Sequence, residues 1–203
     1  MPVILEIKPK NKYSVIVNLD DDRFFKISNK VLRRLHYKEG DDVEDLSELE
    51  TNIIHPAIRY RMKDLLLRCD YAVEELYRKI ERAGYHRSFA KPVMNEFLAA
   101  GFVDDRRYGE ALIENRSKRY GPMRIRQTLY QKGLDPVLID ELMAERPVDD
   151  DALIDKFLQK EDPLKLRTDM KLKQRVMRRL AGKGFRLEQI LDGIQRRIGS
   201  GMD

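Results

Sequence analysis

The chain is poor in the residue types from which covalent cross-links and metal centres are built. It has one cysteine, Cys69, three scattered histidines and no tryptophan in 203 residues. A single cysteine excludes an internal disulfide framework and a cysteine-based metal site, and it fits a reducing compartment. No apolar run approaches 18 residues, and no signal-peptide pattern precedes the first strand-like segment. We therefore expect a cytoplasmic protein with no membrane contact and no metal.

Catalytic sequence motifs are also missing. The chain contains no G-x4-G-K-[ST], G-x-G-x-x-G or G-x-S-x-G segment, so the usual nucleotide-binding and acyl-transfer motifs are absent. The acidic pairs Asp104-Asp105 and Asp149-Asp150 each open a predicted helix, where carboxylates cap backbone N–H groups and face the positive end of the helix dipole. A metal-dependent nuclease built on these carboxylates is a competing interpretation, but nothing in the pattern brings them together. We expect no enzyme activity and no cofactor.

Charge is abundant and unevenly distributed. Residues 1–56 carry 9 basic and 11 acidic side chains, whereas residues 57–203 carry 31 basic and 24 acidic side chains. With 42% hydrophobic residues, the chain is too apolar to be disordered. The excess of cations after residue 56 indicates a polyanion or an acidic protein surface as partner. The alternative is that Lys and Arg only keep the outer helix faces in water.

A recurring glycine indicates that one helical unit is repeated three times. Gly84, Gly133 and Gly184 stand 49 and 51 residues apart, and each follows two apolar residues spaced four apart. Such a glycine ends a helix in left-handed backbone, and the apolar residue after it folds back onto the helix. The segment Val103-Asp104-Asp105 recurs as Val148-Asp149-Asp150, 45 residues later. A period of this size predicts an array that presents an extended binding surface.

The patterns along the chain predict a mainly α protein. We expect three tandem three-helix repeats in an elongated, curved array, preceded by a small N-terminal module that contains a β-hairpin. Val- and Ile-rich runs at 3–8 and 13–19, and a third run at 23–27 after a cluster of Asp residues, predict the strands. The predicted divisions are 1–50 for the β-rich module, 51–103, 104–147 and 148–198 for the three repeats, and 199–203 for a flexible tail.

Three local predictions concern the first repeat. Cys69 falls on the apolar face of a helix, so we expect a buried thiol. Asp70 is placed to cap the following helix. The helix after Gly84 begins either near Arg87 or near Pro92, because a proline inside a helix costs about 3 kcal/mol.

Two segments concentrate the positive charge. Between Glu114 and Asp135 there are six cations and no acid, with Tyr120 and Tyr130 as candidates for base stacking or for packing on guanidinium groups. Between Pro163 and Leu187 nine cations accompany one acid. Equivalent helices stack in an array, so we expect the two segments to form one basic stripe. The predicted partner-binding or DNA-binding residues are Arg116, Lys118, Arg119, Tyr120, Arg124, Arg126, Lys132, Lys171, Lys173, Arg175, Arg178, Arg179, Lys183 and Arg186.

The chain resembles the RecX family of bacterial recombination regulators. The resemblance covers about residues 57–195 and rests on the triplicated unit and on two motifs: Gly101-Phe102-Val103-Asp104-Asp105-x2-Tyr108, and Arg119-Tyr120-Gly121-x3-Ile125-x3-Leu129-x2-Lys132-Gly133. The β-rich N-terminal segment is similar to an extension of some members, and the third unit is the most divergent. We assign structural roles to Asp104, Asp105, Tyr108, Gly84, Gly133 and Gly184.

One departure from the family pattern lies in the second repeat. The family usually has Phe-Ala where this chain has Tyr108-Gly109. A glycine inside a helix costs about 0.5–1 kcal/mol relative to alanine. The helix is therefore either locally weaker or closely packed at this point.

The resemblance implies a function that the composition does not name. It implies a curved helical modulator that lies in the groove of the RecA–single-stranded-DNA filament, as part of DNA repair and the SOS response. Family members lower the ATP hydrolysis, strand exchange and repressor cleavage of that filament. We expect a monomer with the RecA filament as partner, and direct contact with single-stranded DNA stays open. The alternative is a general nucleic-acid-binding helical protein, similar to a helix-turn-helix protein, that acts without recombinase.

Overall fold

The computed structural model describes residues 1–147 and 149–200. Val148 of the second acidic repeat and residues 201–203 of the predicted tail lie outside the described residues. The described chain is mostly helical with a small N-terminal antiparallel sheet, which confirms the predicted mainly α class. A π-helical turn, Glu50–Ile54, joins two of the helices. The strands are β1 (Ile4–Asn11), β2 (Ser14–Leu19) and β3 (Phe24–Ser28), and the helices are α1 (Asn29–Leu35), α2 (Leu46–Leu49), α3 (His55–Leu66), α4 (Val73–Ala83), α5 (Arg87–Ala99), α6 (Asp105–Ser117), α7 (Pro122–Lys132), α8 (Pro136–Glu145), α9 (Asp150–Leu158), α10 (Pro163–Thr168), α11 (Met170–Gly182) and α12 (Leu187–Gly199).

The N-terminal sheet has the strand order β1-β2-β3, with both neighbouring pairs antiparallel. β2 and β3 form the predicted hairpin, and the turn between them is the Asp20–Asp22 cluster. Val17 and Phe25 are register partners across this hairpin, and both are fully buried. Because side chains alternate between the faces of a strand, one face of the hairpin is committed to the core.

The chain divides into two compact units, and the first comprises residues 1–105. Its core is continuous from the sheet to α3, α4 and α5, so that Phe25 of β3 and Phe89 of α5 pack edge to face at 6.0 Å between ring centroids. The predicted boundary between residues 50 and 51 falls inside the helical segment that runs from α2 to α3, and both sides of it contribute to this core. The acidic stretch that precedes residue 51 thus ends in helix, with Leu49 buried.

Two predictions for the connection between α3 and α4 are wrong. α3 ends at Leu66, so Cys69 lies beyond the helix and is exposed instead of buried. The apolar periodicity was extended one turn too far, because Leu65 is the last residue of α3 that is buried. Asp70 does not cap α4, whose N-cap position is Ala72.

Of the two predicted starts of α5, near Arg87 and near Pro92, the structure shows the earlier one. α5 begins at Arg87, and the preceding His86 accepts a hydrogen bond from the backbone N–H of Ser88 at 3.2 Å. Pro92 lies inside the helix. The buried residues on both sides of it, among them Phe89 and Val93, offset the proline's cost by packing.

The three repeated glycines end their helices as predicted. Their φ angles are +104°, +89° and +92°, the left-handed backbone that a residue with a side chain rarely adopts. The residue after each glycine is 3% exposed, and its N–H donates to the carbonyl five residues earlier at 3.2–3.4 Å. This is the hydrogen bond of a Schellman motif. The donor and acceptor residues are Tyr85 and Ile80, Leu134 and Leu129, and Phe185 and Leu180.

The second unit begins at Arg106. Within it α9, α10, α11 and α12 enclose a buried cluster that includes Leu158, Val176 and Ile194. The connection after α9 forms the short helix α10, because Asp162 accepts hydrogen bonds from the backbone of its first turn. α12 continues through Gly199, a residue that the sequence assigned to the tail.

Gly109 is a site of close packing. It is buried in α6, and a Cβ there would lie 2.5 Å from Leu142 Cδ1 and 3.0 Å from Leu134 Cδ2. Of the two explanations open from the sequence, close packing therefore applies. The absent methyl group lets α8 and the turn before it approach the helix.

Candidate nucleic-acid and partner interface

The two basic segments meet through their backbones. The N-terminus of α7 lies against the turn that follows α11: the N–H of Gly121 donates to the Lys183 carbonyl at 2.9 Å, and the N–H of Met123 donates to the Gly184 carbonyl at 3.3 Å. In the opposite direction, Lys183 Nζ donates to the Arg119 carbonyl at 3.4 Å. A helix N-terminus carries free N–H groups and a helix C-terminus carries free carbonyls, so each end satisfies the other. We call this contact the α7–α11 junction.

Two glycines make this approach possible. A Cβ on Gly121 would lie 2.5 Å from the Gly184 oxygen and 2.8 Å from Phe185 Cδ1. A Cβ on Gly184 would overlap the backbone of Arg124. Gly121 belongs to the Arg119-Tyr120-Gly121 motif, but its sequence pattern indicated only a helix break. Its second role, close backbone contact, comes from the tertiary structure.

Tyr120 is packed between cations at the junction. The Arg116 guanidinium carbon lies 5.2 Å from the Tyr120 ring centroid, and Lys183 Nζ lies 5.3 Å from it. Lys183 Nζ also lies 4.5 Å from the ring of Phe157. Packing against cations, one of the two roles open for Tyr120, is present in the structure, and base stacking stays a prediction. Phe157 is a further contributor, which the charge pattern did not reveal. Tyr130 is 45% exposed on α7.

Six of the predicted cations are exposed and uncompensated. In the part of the chain that the structure describes, none of the six lies within ion-pair distance of a carboxylate, and none is covered by other side chains. They belong to the α6–α7 turn and α7 on one side of the junction and to α11 on the other. We call this set the exposed cation set: Lys118, Arg119, Arg124, Lys171, Arg175 and Arg178.

The other predicted cations have side-chain contacts or are partly buried, except Arg186, which lies beyond the end of α11 and is exposed. Arg126 forms an ion pair with Asp140 of α8, and Arg179 forms one with Glu161 at 2.8 Å. Arg126 therefore connects α7 to α8, and Arg179 connects α11 to the loop between α9 and α10. Lys132 and Lys173 are half-buried. The backbone N–H of Arg186 donates to Gln189 Oε1 at 3.4 Å, at the start of α12.

The negative charge on the outer face of α8 argues against a helix-turn-helix mode of DNA binding. The turn Gly133–Pro136 does join two helices, and Asp135 caps the second with a hydrogen bond from the Val137 N–H at 2.8 Å. A recognition helix has to enter the negatively charged major groove. The exposed face of α8 carries carboxylates instead: Asp140 pairs with Arg126, and Glu141 and Glu145 pair with Arg106 of α6.

The acidic pairs serve the fold in three different ways. Asp105 accepts the Val73 N–H at 2.8 Å and so caps α4, the helix for which the sequence proposed Asp70. Asp149 caps its own helix by accepting the Ala152 N–H at 3.0 Å, whereas Asp150 accepts a hydrogen bond from Gln189 at 3.0 Å. Burial raises the pKa of the Asp105 carboxyl above its ordinary value, although the Val73 hydrogen bond opposes the shift. Burial also raises the pKa of Asp150.

The role of Asp105 leads to a prediction about stability. Asp105→Ala is expected to lower the free energy of unfolding by about 1 kcal/mol, the usual cost of losing a helix cap. Asp105→Asn keeps an oxygen acceptor and removes the buried charge, so it is expected to be at least as stable as the wild type at pH 7. Since the folded-state pKa is raised, the cost of ionised Asp105 disappears as the pH falls toward about 4, and the difference between Asn and wild type should shrink there.

Urea unfolding of the three proteins between pH 4 and pH 8 measures this. The same preparations should be tested for DNA binding and for activity with divalent cations. Loss of a metal-dependent activity in a fully folded Asp105→Asn protein would contradict a purely structural role.

Residues 1–147 and 149–200 contain neither a candidate metal site nor a helix suited to cross a bilayer. No group of three or more His, Cys, Asp or Glu side chains is arranged to hold a metal ion. None of the helices in these ranges combines the length and the apolar character needed to cross a bilayer.

Known proteins with similar sequences carry the same regulatory name. The family model for the second three-helix domain of RecX matches residues 104–143. The regulatory protein RecX of Pseudomonas entomophila is 33% identical over 135 residues, which cover 66% of this chain and 87% of that protein. The RecX of Thermus thermophilus is 30% identical over 137 residues, covering 67% and 88%. The RecX of Clostridium tetani is 28% identical over 200 residues, covering 92% and 89%.

Solved structures show the same fold. A crystal structure of a regulatory protein RecX matches with a TM-score of 0.60 at 22% identity and covers 95% of this chain and all of that one. RecX from Lactobacillus salivarius matches with a TM-score of 0.58 at 19% identity, covering 70% and 96%. The matches cover most of the length of the sequence relatives, and the family model begins at the acidic pair that opens α6. The chain therefore belongs to the RecX family of regulatory proteins.

Proposed function

We propose that the protein is a non-enzymatic regulator that binds the RecA–single-stranded-DNA filament. Binding lowers the ATP hydrolysis, strand exchange and coprotease activity of the filament. The exposed cation set contacts DNA phosphates or an acidic surface of the recombinase, and the α7–α11 junction holds its two halves in register. The protein acts as a monomer in the cytoplasm, without a cofactor.

The α7–α11 junction is the observation that carries this proposal. Two backbone hydrogen bonds join the α7 end of one basic segment to the α11 end of the other, so the cations on both sides belong to one rigid surface. A surface of that kind suits a long, regularly charged partner better than a small ligand. The relatives named regulatory protein RecX support the choice of a recombination filament over other polyanions.

The proposal is tested by titrating single-stranded-DNA-dependent ATP hydrolysis by the cognate RecA with this protein. Inhibition is expected well below one protein per RecA monomer, because a filament regulator acts on an assembly. It should persist when excess single-stranded DNA is added. Relief by excess DNA would indicate competition for the DNA, and the general nucleic-acid-binding function would replace the proposal.

A further inference from the structure

A group of cations in the first unit lies outside both basic segments. It consists of Lys10 near the end of β1, Lys26 in β3 and Arg82 in the last turn of α4, and we call it the sheet cation cluster. Lys10 Nζ donates to the Arg82 carbonyl at 3.2 Å. Lys26 Nζ lies 5.3 Å from the ring centroid of Tyr85. A Cβ on Gly84 would lie 3.2 Å from Lys26 Cβ, so the turn after α4 packs directly on the sheet.

Packing, and not ion pairing, holds these cations together. Within residues 1–147 and 149–200 no carboxylate lies within ion-pair distance of any of the three. The acids nearest in sequence to Lys10 and Arg82 are engaged elsewhere, since Glu6 pairs with Lys8 at 2.6 Å and Glu81 pairs with Arg87 at 3.8 Å. Burial lowers the pKa of the Lys26 amine, and the positive charges of Arg61 and Lys10 lower it further. The positive charges of Lys10, Lys26 and Arg61 repel one another, and a bound anion would relieve the repulsion. Arg82 joins the cluster through its backbone carbonyl and has an exposed side chain.

An exposed aromatic ring follows Lys10 closely in the chain, on a backbone held by hydrogen bonds. Tyr13 lies in the β1–β2 turn, three residues after Lys10, and is 72% exposed. Its N–H donates to Asn11 Oδ1 at 2.9 Å and its carbonyl accepts the Asn29 N–H at 2.9 Å. Lys12 Nζ lies 5.8 Å from the ring centroid, so one face carries a positive neighbour.

Cations together with an exposed ring are what single-stranded nucleic acids require. The cations follow the phosphates, and the ring provides a platform on which a base stacks for about 1–3 kcal/mol. An acidic peptide would neutralise the same cations but would leave the ring in water. The combination therefore favours a nucleic acid over an acidic protein surface.

We propose that the sheet cation cluster and Tyr13 form a second binding site for single-stranded nucleic acid, located on the N-terminal unit. The site gives the β-rich segment a function of its own, although the net charge of residues 1–56 is negative. It does not depend on the proposed action on RecA, because it concerns different residues and requires no recombinase.

The first experiment measures binding of the full-length protein to a fluorescein-labelled 20-nucleotide oligothymidine by anisotropy between 50 and 200 mM salt. Arg119→Glu with Arg124→Glu serves as the background, so that the exposed cation set contributes less. In this background Lys10→Glu with Arg82→Glu is expected to weaken binding at least tenfold at 50 mM salt. The slope of log affinity against log salt should fall by about 1.4, or about 0.7 for each lost phosphate contact.

The matched control changes charge equally in the same unit, at the exposed residues Lys38 and Lys91, both to glutamate. It is expected to alter the affinity less than twofold. Equal losses in the cluster variant and the control would overturn the proposal, since only net charge would matter. Thermal melts verify folding, and Lys10→Gln with Arg82→Gln replaces the glutamate pair if that pair fails to fold.

The second experiment tests the stacking residue directly. An oligothymidine carrying 5-iododeoxyuridine is irradiated with the wild-type protein, and the crosslinked peptides are identified by mass spectrometry. A crosslink at Tyr13 is expected. Crosslinks confined to the second unit, in protein that binds normally, would overturn the placement of the site.

Discussion

Replacing Arg119 and Arg124 together by glutamate is expected to raise at least tenfold the concentration needed for half-maximal inhibition of RecA ATP hydrolysis. Both side chains are exposed and belong to the exposed cation set beside the α7–α11 junction. Each reversal removes an attraction to phosphate or carboxylate and adds a repulsion. A tenfold change corresponds to about 1.4 kcal/mol, a modest loss for two reversed charges at an anionic surface. The effect should grow as the salt concentration is lowered.

The control for this prediction is Lys156→Glu with Lys160→Glu. These lysines are exposed, lie outside both basic segments, and give the same change in net charge. They should leave the inhibition within about twofold of wild type. Arg126 is unsuitable for the test because it is paired with Asp140, so its reversal would disturb α7 and α8 as well as any partner contact. Normal inhibition by the Arg119 and Arg124 variant would remove the exposed cation set from the interface.

Helix ends and helix caps could be predicted from the sequence, because they depend on the backbone conformation of a few neighbouring residues. Gly84, Gly133 and Gly184 were placed by their spacing from apolar pairs, and all three have the positive φ angle that this role needs. In the sequence an Asp followed by a Pro is typical of the start of a helix, and Asp135 before Pro136 does cap α8. Such features depend on a few neighbouring residues, so a single sequence contains the information that they need.

Features that depend on contacts with another part of the fold could not be predicted from the sequence. Asp105 was expected to cap a helix, but its hydrogen bond to Val73 could not be read from local spacing, because 32 residues separate them. Cys69 was placed inside a helix whose apolar pattern runs on after the hydrogen-bonded helix has stopped. The number of cations between Pro163 and Leu187 could not distinguish Arg179, which forms an ion pair with Glu161, from its neighbour Arg178, which forms none in the part of the chain that the structure describes.

The candidate site shows the same division between local and tertiary information. Charge runs located the two basic segments, and stacking of repeats predicted that they would meet. What the sequence could not give is the means of contact, since backbone carbonyls and N–H groups leave no trace in residue type. Gly121 was the one available signal, but a glycine before a proline is explained by a helix start alone.

Replacing Gly121 by alanine is expected to destabilise the second unit strongly. The new Cβ would lie 2.5 Å from the Gly184 oxygen and 2.8 Å from the Gly184 carbonyl carbon, and a backbone neighbour cannot move aside like the end of a flexible side chain. The hydrogen bond from Gly121 to the Lys183 carbonyl would lengthen as well. Overpacking costs about 1–3 kcal/mol and a lost hydrogen bond about 1 kcal/mol, so we expect a loss of roughly 2–4 kcal/mol.

Gly182→Ala is the matched control, because it adds the same methyl group at the end of α11, where no atom lies within 4 Å of the new Cβ. That variant should be as stable as the wild type or more stable by about 0.5–1 kcal/mol, since alanine favours helix. For a chain of this size, roughly 2–4 °C per kcal/mol applies, so Gly121→Ala should melt about 5–15 °C below the control. The Gly121→Ala variant should inhibit RecA less than the control at temperatures where both are folded, because the α7–α11 junction no longer holds the two basic segments together. Equal melting temperatures for the two variants would mean that the α7–α11 junction contributes nothing to the fold, and the argument for one continuous binding surface would fail with it.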